Sequence, residues 1–204
     1  MGRTVYYRFE SGWSGMTREA VLDLFRQSGA LLEGHFRLTS GLHSPGYMQC
    51  ALVLQHPAYA EALGRALADL TRPLAPTVVL SPALGGIVIG QEVGRAHGVR
   101  AIFAERQEGA LTLRRGFLLT DLDRVLVVED VLTTGGSTRE TIEVARNAGG
   151  VVVGAASIVD RSGGTLRFDV PYQALLEYAL PTYDAGGCPL CAQGLPVTKP
   201  GSRS

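Results

Sequence analysis

Apolar residues follow two alternating spacings along this chain, one helical and one strand-like. Val21, Leu22 and Phe25 recur at helical spacing; Thr17 can cap that helix and Gly29 would end it after about Ser28. Phe36 to Tyr47 reads as strand, tight turn, strand. Pro57 suits the first turn of a helix running to about Leu70, with Ala60, Leu63, Ala66, Leu67 and Leu70 on its apolar face. Thr77–Ser81 is a buried-strand candidate, followed by Gly85-Gly86 and a helix through Ile87, Val88, Ile89 and Val93. Arg100–Glu105 gives another strand. Val125–Val128 is a short apolar strand that ends in Glu129 and Asp130. A helix follows: Ser137-Thr138-Arg139-Glu140 has capping-box spacing, Gly149-Gly150 should end it, and Ile142, Ala145 and Ala148 form its stripe. Gly150–Val159 is a last apolar strand, closing on Asp160-Arg161. This alternation predicts an α/β fold, a parallel sheet flanked by helices, with the glycine loops at the carboxyl ends of the strands. Met1–Gly15 lacks periodicity and reads as an arm or part of a small cap.

The chemistry concentrates between Val125 and Ser137. Gly135 and Gly136 permit a tight turn and close approach to a ligand. Helix-start N–H groups and the hydroxyls of Thr133, Thr134 and Ser137 suit a phosphate. Glu129 and Asp130 would repel that phosphate, but they can accept from sugar hydroxyls or hold a hydrated metal ion. Together these features point to a sugar phosphate, its phosphate in the loop and its diol on the acids. The bland alternative is a turn whose glycines serve geometry alone, but two acids at the end of a buried strand are costly without a partner. A nucleotide hydrolase would need a Gly-x-x-x-x-Gly-Lys-Ser/Thr loop, which is absent; the single lysine is Lys199.

Composition narrows the class. The chain of 204 residues is long enough for one domain with a substantial core, and 1–204 is taken as that domain. Formal charge is zero, so no electrostatic case exists for a nucleic-acid partner. No apolar run is long enough to span a membrane, and the N-terminus lacks a signal-peptide pattern. Three cysteines, an odd number, do not form a secreted disulfide framework. A cytoplasmic protein is expected.

Val125–Ser137 resembles the phosphoribosyl-pyrophosphate (PRPP) signature of type I phosphoribosyltransferases: apolar strand, two acids, two residues, then Thr-Thr-Gly-Gly-Ser. Phe36-Arg37-Leu38-Thr39-Ser40-Gly41-Leu42-His43-Ser44-Pro45-Gly46-Tyr47 resembles the N-terminal motif of the orotate phosphoribosyltransferase family. By itself that stretch would be an ordinary hairpin. The resemblance implies transfer of the phosphoribosyl group from PRPP to orotate, with Mg²⁺, in pyrimidine synthesis. It implies PRPP contacts from Leu84, Gly85, Arg106 and Glu129 through Ser137, including Val131 and Leu132, with Asp130, Glu129 and Arg106 in catalytic roles. Orotate would meet Tyr47, Met48, Thr133 and Arg161, whose fork suits a carboxylate; the plain alternative for Asp160-Arg161 is a surface salt bridge. A hood is implied over about 34–50 plus the C-terminal tail, and a mobile hairpin over about 105–117 that reaches the site of a homodimer partner. Many members carry lysines and a histidine in that hairpin, whereas this chain offers Arg106, Arg114 and Arg115; the last two also suit a solvated face. Many also have lysine where this chain has Thr39.

Two other functions share a PRPP site. A purine or uracil phosphoribosyltransferase would not need Arg161 for a carboxylate. A nucleic-acid-binding regulator that keeps the PRPP site would need a basic face or an added segment. The tail Cys188-Pro189-Leu190-Cys191 resembles Cys-Pro-x-Cys tails in a subgroup of orotate phosphoribosyltransferases, a resemblance that implies no role, and it looks like half of a zinc knuckle. A zinc would need four ligands, and only Cys50 remains among the cysteines, so the sequence suggests pairs from two subunits if zinc binds. Reduced thiols in a packed tail are the preferred reading, with a local disulfide as the other. No protein-held metal site is expected beyond Mg²⁺ carried mainly by substrate.

Overall fold

The computed structural model describes residues 15–38 and 40–199. Thr39 and the first 14 residues therefore lie outside the described residues.

Helix α1 spans Arg18–Gln27, with the Thr17 hydroxyl accepting from the Ala20 N–H at 3.2 Å. Strands β1 (Leu31–Arg37) and β2 (His43–Met48) form an antiparallel hairpin. A short helix, α2 (Cys50–Leu54), follows; no periodicity announced it, because five residues cannot display a helical face. Helix α3 runs Pro57–Thr71, with its proline in the first turn as expected. Leu70 departs from the expected apolar face: it is exposed, since α3 has nothing packed against that side at its end. Then come β3 (Val78–Pro82), α4 (Gly85–His97), β4 (Arg100–Gln107), β5 (Ala110–Leu113), β6 (Arg124–Leu132), α5 (Gly136–Asn147), β7 (Val151–Asp160), β8 (Tyr172–Glu177) and the short helix α6 (Pro189–Ala192).

The six-stranded sheet has the order β5-β4-β3-β6-β7-β8. All neighbours are parallel except β5, which hairpins back on β4 through Glu108 and Gly109, both at positive φ. Helices cover both faces. Val79, Leu126, Val128 and Ile158 pack with α1, α3 and α4. Val78, Leu80, Val125 and Val127 pack with Ile142 and Ala145 of α5. Burial on both faces is why β3 and β6 read as continuous apolar runs rather than alternating ones. No helix among the described residues is long and apolar enough to cross a membrane.

Helices α3 and α4 meet closely at Gly64, where an added Cβ would lie 2.5 Å from Glu92 Cβ and 2.9 Å from its backbone carbonyl carbon. Backbone cannot swing aside as a side-chain tip can. Gly64→Ala should therefore lower stability by about 1–3 kcal/mol, the usual cost of overpacking. A urea midpoint equal to that of the parent would contradict this packing.

The C-terminal segment pairs with the β1–β2 hairpin on both edges: Thr198 exchanges backbone bonds with His35 and Arg37, and Tyr183 with His43.

Candidate active site

The fold opens a crevice between β3 and β6. The two strands are neighbours, but α4 leaves β3 toward one face of the sheet and α5 leaves β6 toward the other. Loops at such a reversal separate, and ligands bind there at the carboxyl ends of the strands.

Strand β6 runs further than Val128, contrary to the sequence expectation: it carries Glu129 and Asp130 within it and ends at Leu132. Pairing to β3 stops at Val127, while pairing to β7 continues through Leu132. The acids are thus held by a strand whose other edge is free, on the side where the β3–α4 loop lies. That loop abuts them closely: a Cβ on Gly85 would sit 2.8 Å from one Asp130 carboxylate oxygen and 2.9 Å from the other. A cavity of about 450 Å³ fills the crevice, lined by Asp130, Leu84, Gly85 and Tyr47, with Ala51 and Leu54 from α2. Another groove, between α3 and α4, is smaller at about 220 Å³. Its Arg65, Arg72 and Arg95 are paired with Glu61, Asp69 and Glu92, so their charges are already satisfied.

Burial raises the pKa of both acids. Glu129 is pushed up to about 7, against the hydrogen bond donated by the Thr138 hydroxyl at 2.8 Å and with help from neighbouring Asp130. Asp130 is raised by burial, opposed by the Val131 N–H donated to its Oδ1 at 2.9 Å. Both carboxylates are poorly solvated and ready to accept a donor.

Helix α5 begins at Gly136 with Gly135 in the left-handed region, φ 73°. The expected capping box at Ser137–Glu140 is not formed. Glu140 instead accepts the Leu111 N–H and forks with Arg106, so a tertiary contact has claimed the side chain that would have capped. The N-terminal N–H groups of α5 consequently have no side-chain cap and face outward with the exposed Thr133 and Thr134. Arg139 braces this loop by donating to the carbonyl of Thr134 at 2.8 Å.

Tyr47 reaches the crevice from β2, but Met48 does not: strand alternation turns its side chain into the core, where it is 2 % exposed. Only its backbone can face a ligand. Arg161 follows β7, half-buried, its guanidinium carbon 6.0 Å from the centroid of the Tyr47 ring. The expected alternative, a salt bridge to Asp160, is not made; Asp160 accepts from the Ser162 N–H. Arg161 has no ion-pair partner among the described residues, and its buried Nε lacks a hydrogen-bond acceptor. Burial lowers its pKa from the ordinary value, the mark of a cation short of solvation.

The hairpin arginines are elsewhere. Arg106 binds Glu140 at 2.8 Å and does not line the crevice; Arg114 and Arg115 both face Glu105. Cys188 and Cys191 lie against the β1–β2 hairpin. Sequence reasoning missed Thr138 and Glu140 as partners of this site, because their roles depend on contacts with distant strands.

Residues 51–177 match the model of the phosphoribosyl transferase domain family. The orotate phosphoribosyltransferase of Heliobacterium modesticaldum is 56% identical over 191 residues, covering 93% of this chain and 100% of that relative. This chain belongs to the orotate phosphoribosyltransferase family. Among solved structures, the orotate phosphoribosyltransferase of Mycobacterium tuberculosis H37Rv in complex with Fe(III) dicitrate superposes with TM-score 0.69 at 28% identity, covering 78% of this chain and 95% of that one. The same M. tuberculosis enzyme in complex with PRPP gives TM-score 0.56 at 26% identity, covering 64% and 80%. The family's type I architecture is the sheet described above, with β5 as its one antiparallel edge.

Proposed function

We propose that this protein transfers the phosphoribosyl group of PRPP to orotate, releasing pyrophosphate and giving orotidine 5′-monophosphate for pyrimidine synthesis. One observation carries the choice of base: Arg161, whose guanidinium has no ion-pair partner among the described residues, stands beside Tyr47, which lines the crevice together with Asp130. A neutral base would leave that cation without a counter-charge, whereas the orotate carboxylate matches its fork.

The 5′-phosphate is assigned to Thr133–Ser137 at the uncapped start of α5. Val131 and Leu132 supply the backbone that leads into this loop, and Thr133 also borders the orotate side. Glu129 and Asp130 accept the ribose hydroxyls. Leu84 and Gly85 present backbone to the pyrophosphate. The all-oxygen donors beside this loop suit Mg²⁺ brought in with PRPP, which would neutralise charge on the leaving pyrophosphate. As the leaving group departs, positive charge grows on the sugar, and the two carboxylates in a poorly solvated crevice favour that state. Orotate reacts as a pre-formed anion, so no general base is required.

Within one protomer, Arg106, Arg114 and Arg115 are all occupied by Glu140 and Glu105. The homodimer rests on the family resemblance: in it the 105–117 hairpin closes over a partner's bound PRPP, and these arginines would have to exchange their carboxylates for phosphate. Arg106 remains the candidate for that contact.

The test is direct. Protein mixed with Mg²⁺, PRPP and orotate should consume orotate absorbance, with uracil, adenine, hypoxanthine and guanine inert. Turnover of another base would overturn the roles of Arg161 and Tyr47. PRPP binding without turnover of any base would favour a regulator.

A pH prediction follows from Glu129. Its folded pKa of about 7 lies above the ordinary 4.5, so folding favours the protonated form. The stability this contributes is complete below pH 4.5 and is lost as pH rises through 7. Binding the ribose diol needs the ionised form, so kcat/KM for PRPP should rise with pH through about 7. Thr138→Val removes the bond that favours the carboxylate, and the rising limb should move to higher pH. A limb that stays in place in this variant would assign it to another group.

A further inference from the structure

His35 on β1 and His43 on β2 flank the hairpin turn, and Cys188 and Cys191 bracket the first turn of α6. The fold gathers all four. His35 Nε2 lies 2.8 Å from His43 Nδ1, 3.5 Å from Cys188 Sγ and 3.7 Å from Cys191 Sγ. His43 Nδ1 lies 3.3 Å from Cys191 Sγ. The four ligand atoms all fall within 4.8 Å of one another. Tetrahedral zinc, with Zn–N about 2.0–2.1 Å and Zn–S about 2.3 Å, sets N···S near ~3.6 Å and S···S near ~3.8 Å. The three nitrogen–sulfur distances bracket that value, and a small opening of the histidine pair would admit the ion.

The surroundings point the same way. His35, His43 and Cys188 are buried, and the cluster contains no carboxylate. His35 Nδ1 lies 2.8 Å from the Leu195 carbonyl, which can only accept, so Nδ1 carries the proton. The lone pair of Nε2 is thereby aimed into the cluster. A backbone carbonyl that sets the histidine tautomer is the usual second partner of a metal-bound imidazole. The Cys-x-x-Cys turn closes with the Ala192 N–H on the Cys188 carbonyl at 3.2 Å, and the next turn with the Gly194 N–H on the Cys191 carbonyl at 2.9 Å, Gly194 being in the left-handed region.

We propose that His35 Nε2, His43 Nδ1 and the thiolates of Cys188 and Cys191 bind one structural Zn²⁺ within a single chain. Both thiol protons pass to solvent on binding. Four protein ligands leave no open position, so the site is structural rather than catalytic. Thiolate and imidazole ligands select zinc here, whereas the oxygen-only donors of the crevice do not. The sequence expectation that zinc would need cysteine pairs from two subunits is replaced: the hairpin histidines supply the other half. They escaped notice because residues 35 and 43 are separated from 188 and 191 by most of the chain.

The ion would staple the C-terminal segment to the hairpin, beside the backbone pairing at Thr198 and Tyr183. β2 runs on from His43 to Tyr47, so the staple also holds the strand that presents Tyr47. On the reading under Proposed function, zinc loss should raise the KM for orotate more than that for PRPP. The metal measurements themselves do not depend on that reading.

The experiment is elemental analysis of protein purified under reducing conditions without chelator. One zinc per chain is expected, lost in a Cys188→Ser/Cys191→Ser variant and in His35→Ala. Should those variants fail to fold, parent protein stripped by chelator and titrated with Co²⁺ should give a thiolate-to-cobalt charge-transfer band and tetrahedral visible bands, saturating at one equivalent. Chelation should lower Tm. Protein that is isolated without zinc and gives no charge-transfer band with Co²⁺ would overturn the site. So would a metal-free Cys188–Cys191 disulfide in freshly isolated protein, or undiminished zinc in the cysteine variant.

Discussion

Asp130→Asn should lower kcat about a hundredfold while leaving the affinity for inorganic phosphate, which lacks the ribose diol, within about threefold, the first being the usual scale for one preorganised electrostatic group. The substitution keeps shape and removes charge. Asn can still accept the Val131 N–H that Asp130 accepts at 2.9 Å, and it adds no bulk against Gly85. The loop proposed for the 5′-phosphate begins three residues later and is braced independently through Arg139 and the Thr134 carbonyl. What disappears is the negative charge that the proposed reading sets beside the ribose, in a crevice where burial already raises the Asp130 pKa. That charge matters little to a resting phosphate and much to a sugar becoming cationic. Stability should hold or rise, since a poorly solvated charge is removed. Steady-state kinetics and calorimetry with inorganic phosphate decide the matter. Equal losses in turnover and phosphate affinity would mean that Asp130 shapes the loop instead of acting on the transition state.

Much of the site was legible because two independent signals met on β6. A strand buried on both faces writes itself as Val125-Leu126-Val127-Val128, and the two acids that follow are costly there without a partner. Elements whose positions depend on tertiary partners were not legible. Five residues of α2 carry no period. The Ser137–Glu140 spacing has the form of a cap, yet Glu140 is drawn 34 residues away to Arg106. Tyr47 and Met48 are adjacent in sequence, but strand alternation sends one to the crevice and the other to the core. His35 and His43 look like unrelated hairpin residues until α6 brings two thiols against them. For Glu140 and for the two histidines the missing information was a contact between distant segments, which local spacing cannot encode.

Arg161→Ala should reduce kcat/KM for orotate by two to three orders of magnitude, with the KM for PRPP little changed. Truncating one partner of a desolvated, hydrogen-bonded charge pair costs about 2–5 kcal/mol, and much of that is the charge left behind. On the proposed reading the abandoned charge is the orotate carboxylate, left beside the Tyr47 ring. The free protein should tolerate the loss, because Arg161 has no ion-pair partner among the described residues and its Nε is unsatisfied. An unchanged or raised Tm is therefore expected alongside the fall in activity, a combination that a scaffold role would not produce. Arg161→Lys should recover little: a point charge cannot reproduce a planar fork, and the shorter reach of its donors leaves one carboxylate oxygen bare. If Arg161→Ala kept its orotate efficiency while losing stability, the guanidinium would be packing against Tyr47 and the carboxylate would be recognised elsewhere. If instead it lost orotate turnover and gained measurable turnover of uracil, the charge of Arg161 would be what restricts the crevice to an acidic base.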